Sequence, residues 1–227
     1  MIIHDVEQGS ADWYSVRLGI PTASNFHKIV TPTGKLSAQA REYCFLLVAE
    51  AVLHETTQSL AGVEWIERGK ELEPDAVKMY EFERGVKTRT VGFITNDAGT
   101  IGASPDRLII DGNGAVEIKC PAPQTHIAYM IDGFGNDYVP QVQGQMLVGG
   151  FDYIDRYSYH PAMPPACVRT PRDEDYIAKL VDALDQFNTM KAEMIERVRR
   201  EGLFSERESL AAAHDVAYEQ TRNILAC

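Results

Sequence analysis

Apolar residues recur at helical spacing in several stretches of the chain, and polar and apolar residues alternate in others. Over residues 37–55, Tyr43, Leu46, Leu47, Ala51 and His54 fall on one side of a 3.6-residue turn, which predicts a helix. A second helical stretch runs from about Val63 to Phe82, with Pro74 placed to open a new helix inside it, because proline is at home in a first turn. The longest amphipathic pattern spans residues 173–200, with Ile177, Leu180, Val181, Leu184, Phe187 and Met194 at its apolar positions. Shorter helices are expected at 10–18 behind the cap-type Ser10, at SNFHKIV behind Thr22 or Ser24, and at QVQGQMLVG from Pro140. TPTGKL (31–36) reads as a loop.

After Gly85 the texture changes. VKTRTVGFITN, TIGASPDRLIID and AVEIKC are rich in β-branched residues and bounded by glycines, and DGNG (111–114) supplies turn residues. At least three strands follow, with a hairpin near Asn113–Gly114. DYIDRYSYH reads as a further strand and PAMPPA (161–166) as a loop. Residues 203–227 read as a helical tail without a clear partner. Helices, then strands, then helices around one sheet imply an α/β or α+β fold, with one domain over residues 1–202.

Composition narrows the function. At 227 residues and 44% hydrophobic, the chain can bury one good core. No run approaches the roughly 18 apolar residues of a membrane helix, and the first residues lack a signal pattern, so a cytoplasmic protein is expected. Cys44, Cys120, Cys167 and Cys227 are too scattered for a zinc or iron–sulfur signature and are expected to be reduced. The six histidines form no metal-spaced cluster. A net charge of −11 argues against coating nucleic acid. It leaves room for an enzyme that grips a few phosphates through a metal ion, provided its basic residues gather on one surface.

The chemistry is carried by SPD (104–106) and EIK (117–119). On a strand, Glu117 and Lys119 share one face while Ile118 points into the core, and a hairpin returns Asp106 beside them. Two carboxylates can hold a hard divalent cation. Such a cation lowers the pKa of bound water and neutralises charge on a phosphate. The lysine can orient that water or stabilise the transition state, and the Ile118 carbonyl could serve as a further metal ligand. Each motif alone is more often a turn or a solvated strand face; their combination at hairpin spacing favours a site.

PD, a turn-containing gap and E-x-K resemble the PD-(D/E)xK nuclease superfamily. More closely, from about Glu7 to Glu201, the chain resembles the phage lambda exonuclease family, or viral alkaline exonucleases. The segments are WYSVRLGIPTAS (13–24), RGKELEPDA (68–76), ASPDRL (103–108), DGNGAVEIKCP (111–121) and PQVQ (140–143). The resemblance implies a restriction-endonuclease-like central mixed β-sheet flanked by helices. It implies a Mg²⁺-dependent 5′-to-3′ exonuclease (Mn²⁺ able to substitute) that leaves a 3′ single-stranded overhang for recombination.

By that resemblance Asp106 and Glu117 are metal ligands and Lys119 is the catalytic lysine. Glu73 is an acidic residue on a helix beside the metal, and Gln141 faces the site and helps place the water or the terminal phosphate. Arg17 and Ser24 receive the 5′-phosphate, and Ile66, or Trp65 beside it, stands near the wedge that parts the strands. Of Gln143 and Gln145, only Gln145 shares a helix face with Gln141. The resemblance also implies duplex DNA ends as substrate, a ring of three subunits and a single-strand-annealing partner. Alternatives are a PD-(D/E)xK nuclease of other polarity, endonuclease or RecB-like, and a non-catalytic protein that binds DNA ends.

Overall fold

A computed structural model of the protein describes residues 1–56 and 64–201; the expected tail at 203–227 lies outside the described residues. The strands form two sheets rather than the one expected. β1 (Ile2–His4), β3 (Phe93–Thr95) and β4 (Gly102–Ala103) make an antiparallel sheet in the order β1-β3-β4. β2 (Thr88–Arg89), β5 (Arg107–Ile109), β6 (Gly114–Lys119), β7 (Tyr153–His160) and β8 (Met163–Pro171) make a mixed sheet in the order β2-β5-β6-β7-β8. Only its β6–β7 pair is parallel.

The split has a local cause. VKTRTVGFITN breaks between β2 and β3, where a Cβ on Gly92 would lie 2.1 Å from the Val6 carbonyl oxygen. TIGASPDRLIID breaks between β4 and β5 at Pro105, which has no N–H to give a ladder. Gln8 ties the two breaks together by donating to the Val91 carbonyl at 2.8 Å and the Pro105 carbonyl at 3.1 Å. The expected loop at 161–166 runs into β8, whose Pro164, Pro165 and Pro171 are tolerable because it is an edge strand.

The helices follow the apolar pattern, with corrections at their ends. α1 (Ala11–Ser15) starts where Ser10 accepts a hydrogen bond from the Trp13 N–H at 3.2 Å, but stops short of residue 18. SNFHKIV forms a 3-10 helix, Ala23–Lys28, with Thr22 as its N-cap residue. α2 (Ala40–Leu53) ends at His54, which is exposed and left-handed (φ 52°) rather than part of the apolar face. α3 (Glu64–Arg84) runs straight through Pro74, which opens no new helix. One missing N–H is offset by burial of Ala76 and Tyr80 against the sheet. α4 (Pro123–Asp132), unannounced by the pattern, joins α5 (Val139–Gly149) in the crossover between parallel β6 and β7. α6 (Glu174–Arg200) buries Ile177, Leu180, Leu184 and Phe187. No helix among the described residues is long and apolar enough to cross a membrane.

The mixed sheet is covered on both faces. Ala115 and Ile154 face the larger core built by α2, α5, α6 and the 3-10 helix. Val116, Ile118 and Tyr157 face α3. Fully buried Asp155 locks α3 down, accepting from Tyr80 Oη at 2.8 Å and from Arg169 at 2.8 and 2.9 Å.

On the other face, α5 presses on the 3-10 helix at Gly144. A Cβ there would come within 2.4 Å of the Phe26 ring, which is itself fully buried. Gly144→Ala is therefore expected to cost about 1–3 kcal/mol by overpacking, or about 2–4 °C of thermal midpoint per kcal/mol. A thermal melt of the variant matching wild type would show that this contact yields without strain.

Candidate active site

The β5–β6 hairpin assembles the acidic pair. Arg107 pairs with Val116, which brings Asp106, one residue before β5, alongside Glu117 and Ile118. Asp106 Oδ2 accepts from the Ile118 N–H at 2.6 Å. In an extended residue the carbonyl lies on the same side of the strand as the N–H, so the Ile118 carbonyl turns toward Asp106 while its side chain joins the α3 core.

Glu117 is buried and faces α5. Its Oε1 accepts from the Lys119 ammonium and from Gln141 Nε2 at 2.6 Å; its Oε2 accepts from Gln145 Nε2 at 2.5 Å. Gln143 points elsewhere, donating to the Pro171 carbonyl at 2.9 Å and accepting from the Asp173 N–H at 3.0 Å. The ammonium of Lys119 also lies 4.8 Å from the centre of the Tyr138 ring. Tyr138 heads α5 in a left-handed conformation (φ 65°) that non-glycine residues seldom adopt.

The buried charges of the cluster shift one another's protonation. Burial holds the Asp106 carboxyl well above the usual carboxylate range, Glu117 adding to the rise and Glu73 contributing further. Burial pulls the Lys119 ammonium down, but Glu117 and Asp106 outweigh it and keep it above its ordinary value. Glu73, on α3, reaches Asp106 from a second cavity of about 960 Å³ that both residues line. Among the described residues no group of three or more His, Cys, Asp or Glu is arranged to share one ion. The oxygen donors available at the cluster are the Asp106 and Glu117 carboxylates and the Ile118 carbonyl. They fit Mg²⁺, which keeps several waters and takes one or two protein carboxylates.

A cavity of about 700 Å³ opens on this cluster and extends to Arg17 and Ser24. Arg17 is half-buried, and its guanidinium lies 3.6 Å from the centre of the Trp13 ring four residues earlier. The Trp13 indole is held in turn by the Gly92 carbonyl and Ser104 Oγ, both at 3.1 Å. Burial pulls the Arg17 pKa down to about 10, with Tyr43, Tyr14 and Glu50 resisting, so the group stays charged at neutral pH. Ser24 is exposed, its hydroxyl 3.2 Å from Thr22 Oγ1. Lys28 and His27 line the same cavity as well, together with the carboxylates Glu50, Asp106 and Glu117, so its wall carries both signs of charge.

The structure therefore brings Asp106, Glu117, Lys119, Gln141, Arg17 and Ser24 to one cavity, with Glu73 on the far side of Asp106. Ile66 and Trp65 belong to α3, but their side chains lie outside the described ones. Sequence reasoning left Gln145 without a role, although its i,i+4 spacing from Gln141 was the signal for it. Trp13 opens the matching segment at 13–24 but had no role assigned to it, and Tyr138 carried no signal, since an aromatic residue ahead of a helix reads as ordinary core.

Comparison with known proteins bears directly on this geometry. The model of the YqaJ-like viral recombinase domain matches residues 12–152, the span from Trp13 and Arg17 through Gln145. The chain belongs to the YqaJ-like viral recombinase family. This is the lambda exonuclease-like grouping that the motifs resemble. A crystal structure of an alkaline exonuclease, LHK-Exo from Laribacter hongkongensis, is 30% identical with a TM-score of 0.76. That match covers 86% of this chain and 98% of the other. LHK-Exo in complex with dAMP superposes equally well, at 32% identity. A phage-related exonuclease from Haemophilus somnus 129PT, 17% identical with a TM-score of 0.64 over 79% of this chain and 96% of its own, shares the fold. A comparison with curated protein sequences returns no match.

Proposed function

We propose that the protein is a Mg²⁺-dependent exonuclease that degrades one strand of linear duplex DNA from its 5′ end, leaving a 3′ single-stranded overhang for recombination. The observation that carries this reading is the shared cavity, which an arginine and a serine line together with two carboxylates and a lysine. A single strand end can place its terminal phosphate on the first group and its first diester on the second. The relatives described as exonucleases, and the dAMP complex of one of them, favour release of mononucleotides.

Asp106 and Glu117 would hold the divalent ion, with the Ile118 carbonyl as a further donor and Mn²⁺ able to substitute. The bound ion supplies Lewis acidity and a hydroxide-like water near neutral pH. Gln141 keeps one oxygen of Glu117 in place. Lys119, charged and steadied over Tyr138, orients the attacking water and stabilises negative charge on the phosphate. Glu73 adds negative charge beside Asp106 and strengthens the hold on the cation. Arg17, with its guanidinium plane fixed by Trp13, takes the terminal phosphate together with the Ser24 hydroxyl. Ile66 remains the candidate wedge. The reading extends to a ring of three subunits and a single-strand-annealing partner, as the resemblance implies.

The test uses two linear duplexes that differ only in a 5′-phosphate, labelled at either end, at fixed salt and with Mg²⁺. Wild type should shorten the phosphorylated strand from its 5′ end faster than the hydroxyl one. A charge-assisted phosphate contact contributes roughly 1.5–3 kcal/mol, about one to two decades in rate. Arg17→Ala should lose most of that preference by slowing the phosphorylated duplex. Equal wild-type rates, or an unchanged ratio in Arg17→Ala, would remove Arg17 from the site and restore the endonuclease and RecB-like alternatives.

A further inference from the structure

Gln145 is almost fully buried, 1% exposed, and lines the wall of the cavity. Its Nε2 donates to Glu117 Oε2 at 2.5 Å, while its own Oε1 is buried with no hydrogen-bond partner. The amide cannot turn over to relieve this. An ionised carboxylate accepts only, so the NH₂ group must face Glu117 and the oxygen is left on the other side. Buried polar atoms are nearly always paired, and an unpaired one is a stability cost that packing alone would not retain. What the arrangement preserves is the donor to Glu117.

One turn earlier on the same helix face, Gln141 holds the other oxygen of that carboxylate, together with Lys119. α5 thereby grips Glu117 at both oxygens. The grip is rigid because α5 is wedged against the buried Phe26 at Gly144, the residue beside Gln145. With Oε1 shared by two donors and Oε2 fixed by one, the carboxylate plane cannot swing about its last torsion.

We propose that Gln145 is a positioning residue that fixes the Oε2 oxygen of Glu117 and so orients that carboxylate for the divalent cation; this rests on the nuclease reading above. It acts through Glu117 and touches neither substrate nor reacting atoms. Partners of this kind, which orient a metal-binding side chain without touching the metal, typically change metal affinity or activity 10–100-fold when removed.

The test compares wild type with Gln145→Met, which keeps the volume and removes both polar atoms, and with Gln145→Asn, which draws the amide back by one methylene. Mn²⁺ affinity is measured by calorimetry on the DNA-free protein, thermal midpoint in chelator, and kcat and KM on 5′-phosphorylated duplex. The expected result is Mn²⁺ binding weakened 10–100-fold in both variants, kcat lowered and KM for DNA ends unchanged. The metal-free midpoint of Gln145→Met should hold or rise, because an orphaned oxygen has gone. A purely structural glutamine would do the reverse, lowering the midpoint and leaving Mn²⁺ affinity alone. Wild-type Mn²⁺ affinity and kcat in both variants would overturn the role of Gln145 while leaving the nuclease reading intact. A wild-type protein that neither takes up Mn²⁺ nor cuts DNA would overturn both.

Discussion

Asp106→Asn is expected to lower the cleavage rate at least about a thousandfold, equivalent to roughly 4 kcal/mol of transition-state stabilisation, while the protein stays folded. Asparagine keeps an acceptor for the Ile118 N–H, now bound at 2.6 Å by Asp106 Oδ2, so the hairpin geometry survives. It removes a carboxylate that burial and the charge of Glu117 place under strain. In metal-free buffer the variant should therefore melt no lower than wild type. Mn²⁺ should stabilise wild type and leave the variant almost unmoved, since binding stabilises only a state that binds. The measurements are a single-turnover time course and melts with and without Mn²⁺. A well-folded variant that keeps a tenth of wild-type activity would remove Asp106 from the metal site.

Lys119→Ala separates chemistry from binding. The ammonium now competes with any cation for Glu117, because it ion-pairs with the carboxylate that would hold the metal. Its loss should leave Mn²⁺ affinity equal to or tighter than wild type, and 5′-phosphorylated ends should bind as before through Arg17. Hydrolysis should fall by roughly 10²–10⁴, the usual contribution of a group that orients or activates water. Gln141 and Gln145 still hold Glu117, so the fall would not come from a displaced ligand. The decisive comparison is the single-turnover rate at saturating Mg²⁺ against the dissociation constant for DNA ends. Weakened end binding with an unchanged chemical rate would make Lys119 a phosphate clamp.

Membership in the YqaJ-like family and the fold of its exonuclease relatives set these experiments in context. The organisation of the site explains why its residues are far apart in the chain. Arg17 follows α1, Glu73 lies on α3, Asp106 and Glu117 flank a hairpin, and Gln141 and Gln145 come from α5. Two contacts hold these pieces in register: Trp13 against Arg17 and Ser104, and Gly144 against Phe26.

The local part of this architecture was legible in the sequence. The period-2 placement of Glu117 and Lys119 about Ile118, the hairpin between β5 and β6 (its turn at 110–113, slightly ahead of the expected Asn113–Gly114) and the apolar stripe of α6 depend on near neighbours, and the chain reports near neighbours directly. The i,i+4 spacing likewise put Gln145 on the same face as Gln141. What only the tertiary structure decided are matters of packing between distant segments. Gly92 yields to the N-terminal segment and parts one expected sheet into two. Burial of Ala76 and Tyr80 carries α3 through Pro74. An edge position lets β8 absorb its prolines. The pairing of Gln145 with Glu117, and the orphaned oxygen it leaves, belongs to the same class: a helix and a strand 28 residues apart in sequence meet only because the crossover lays α5 over β6. Sequence periodicity states which face a residue occupies; the residue opposite that face is set by long-range packing, which no local pattern encodes.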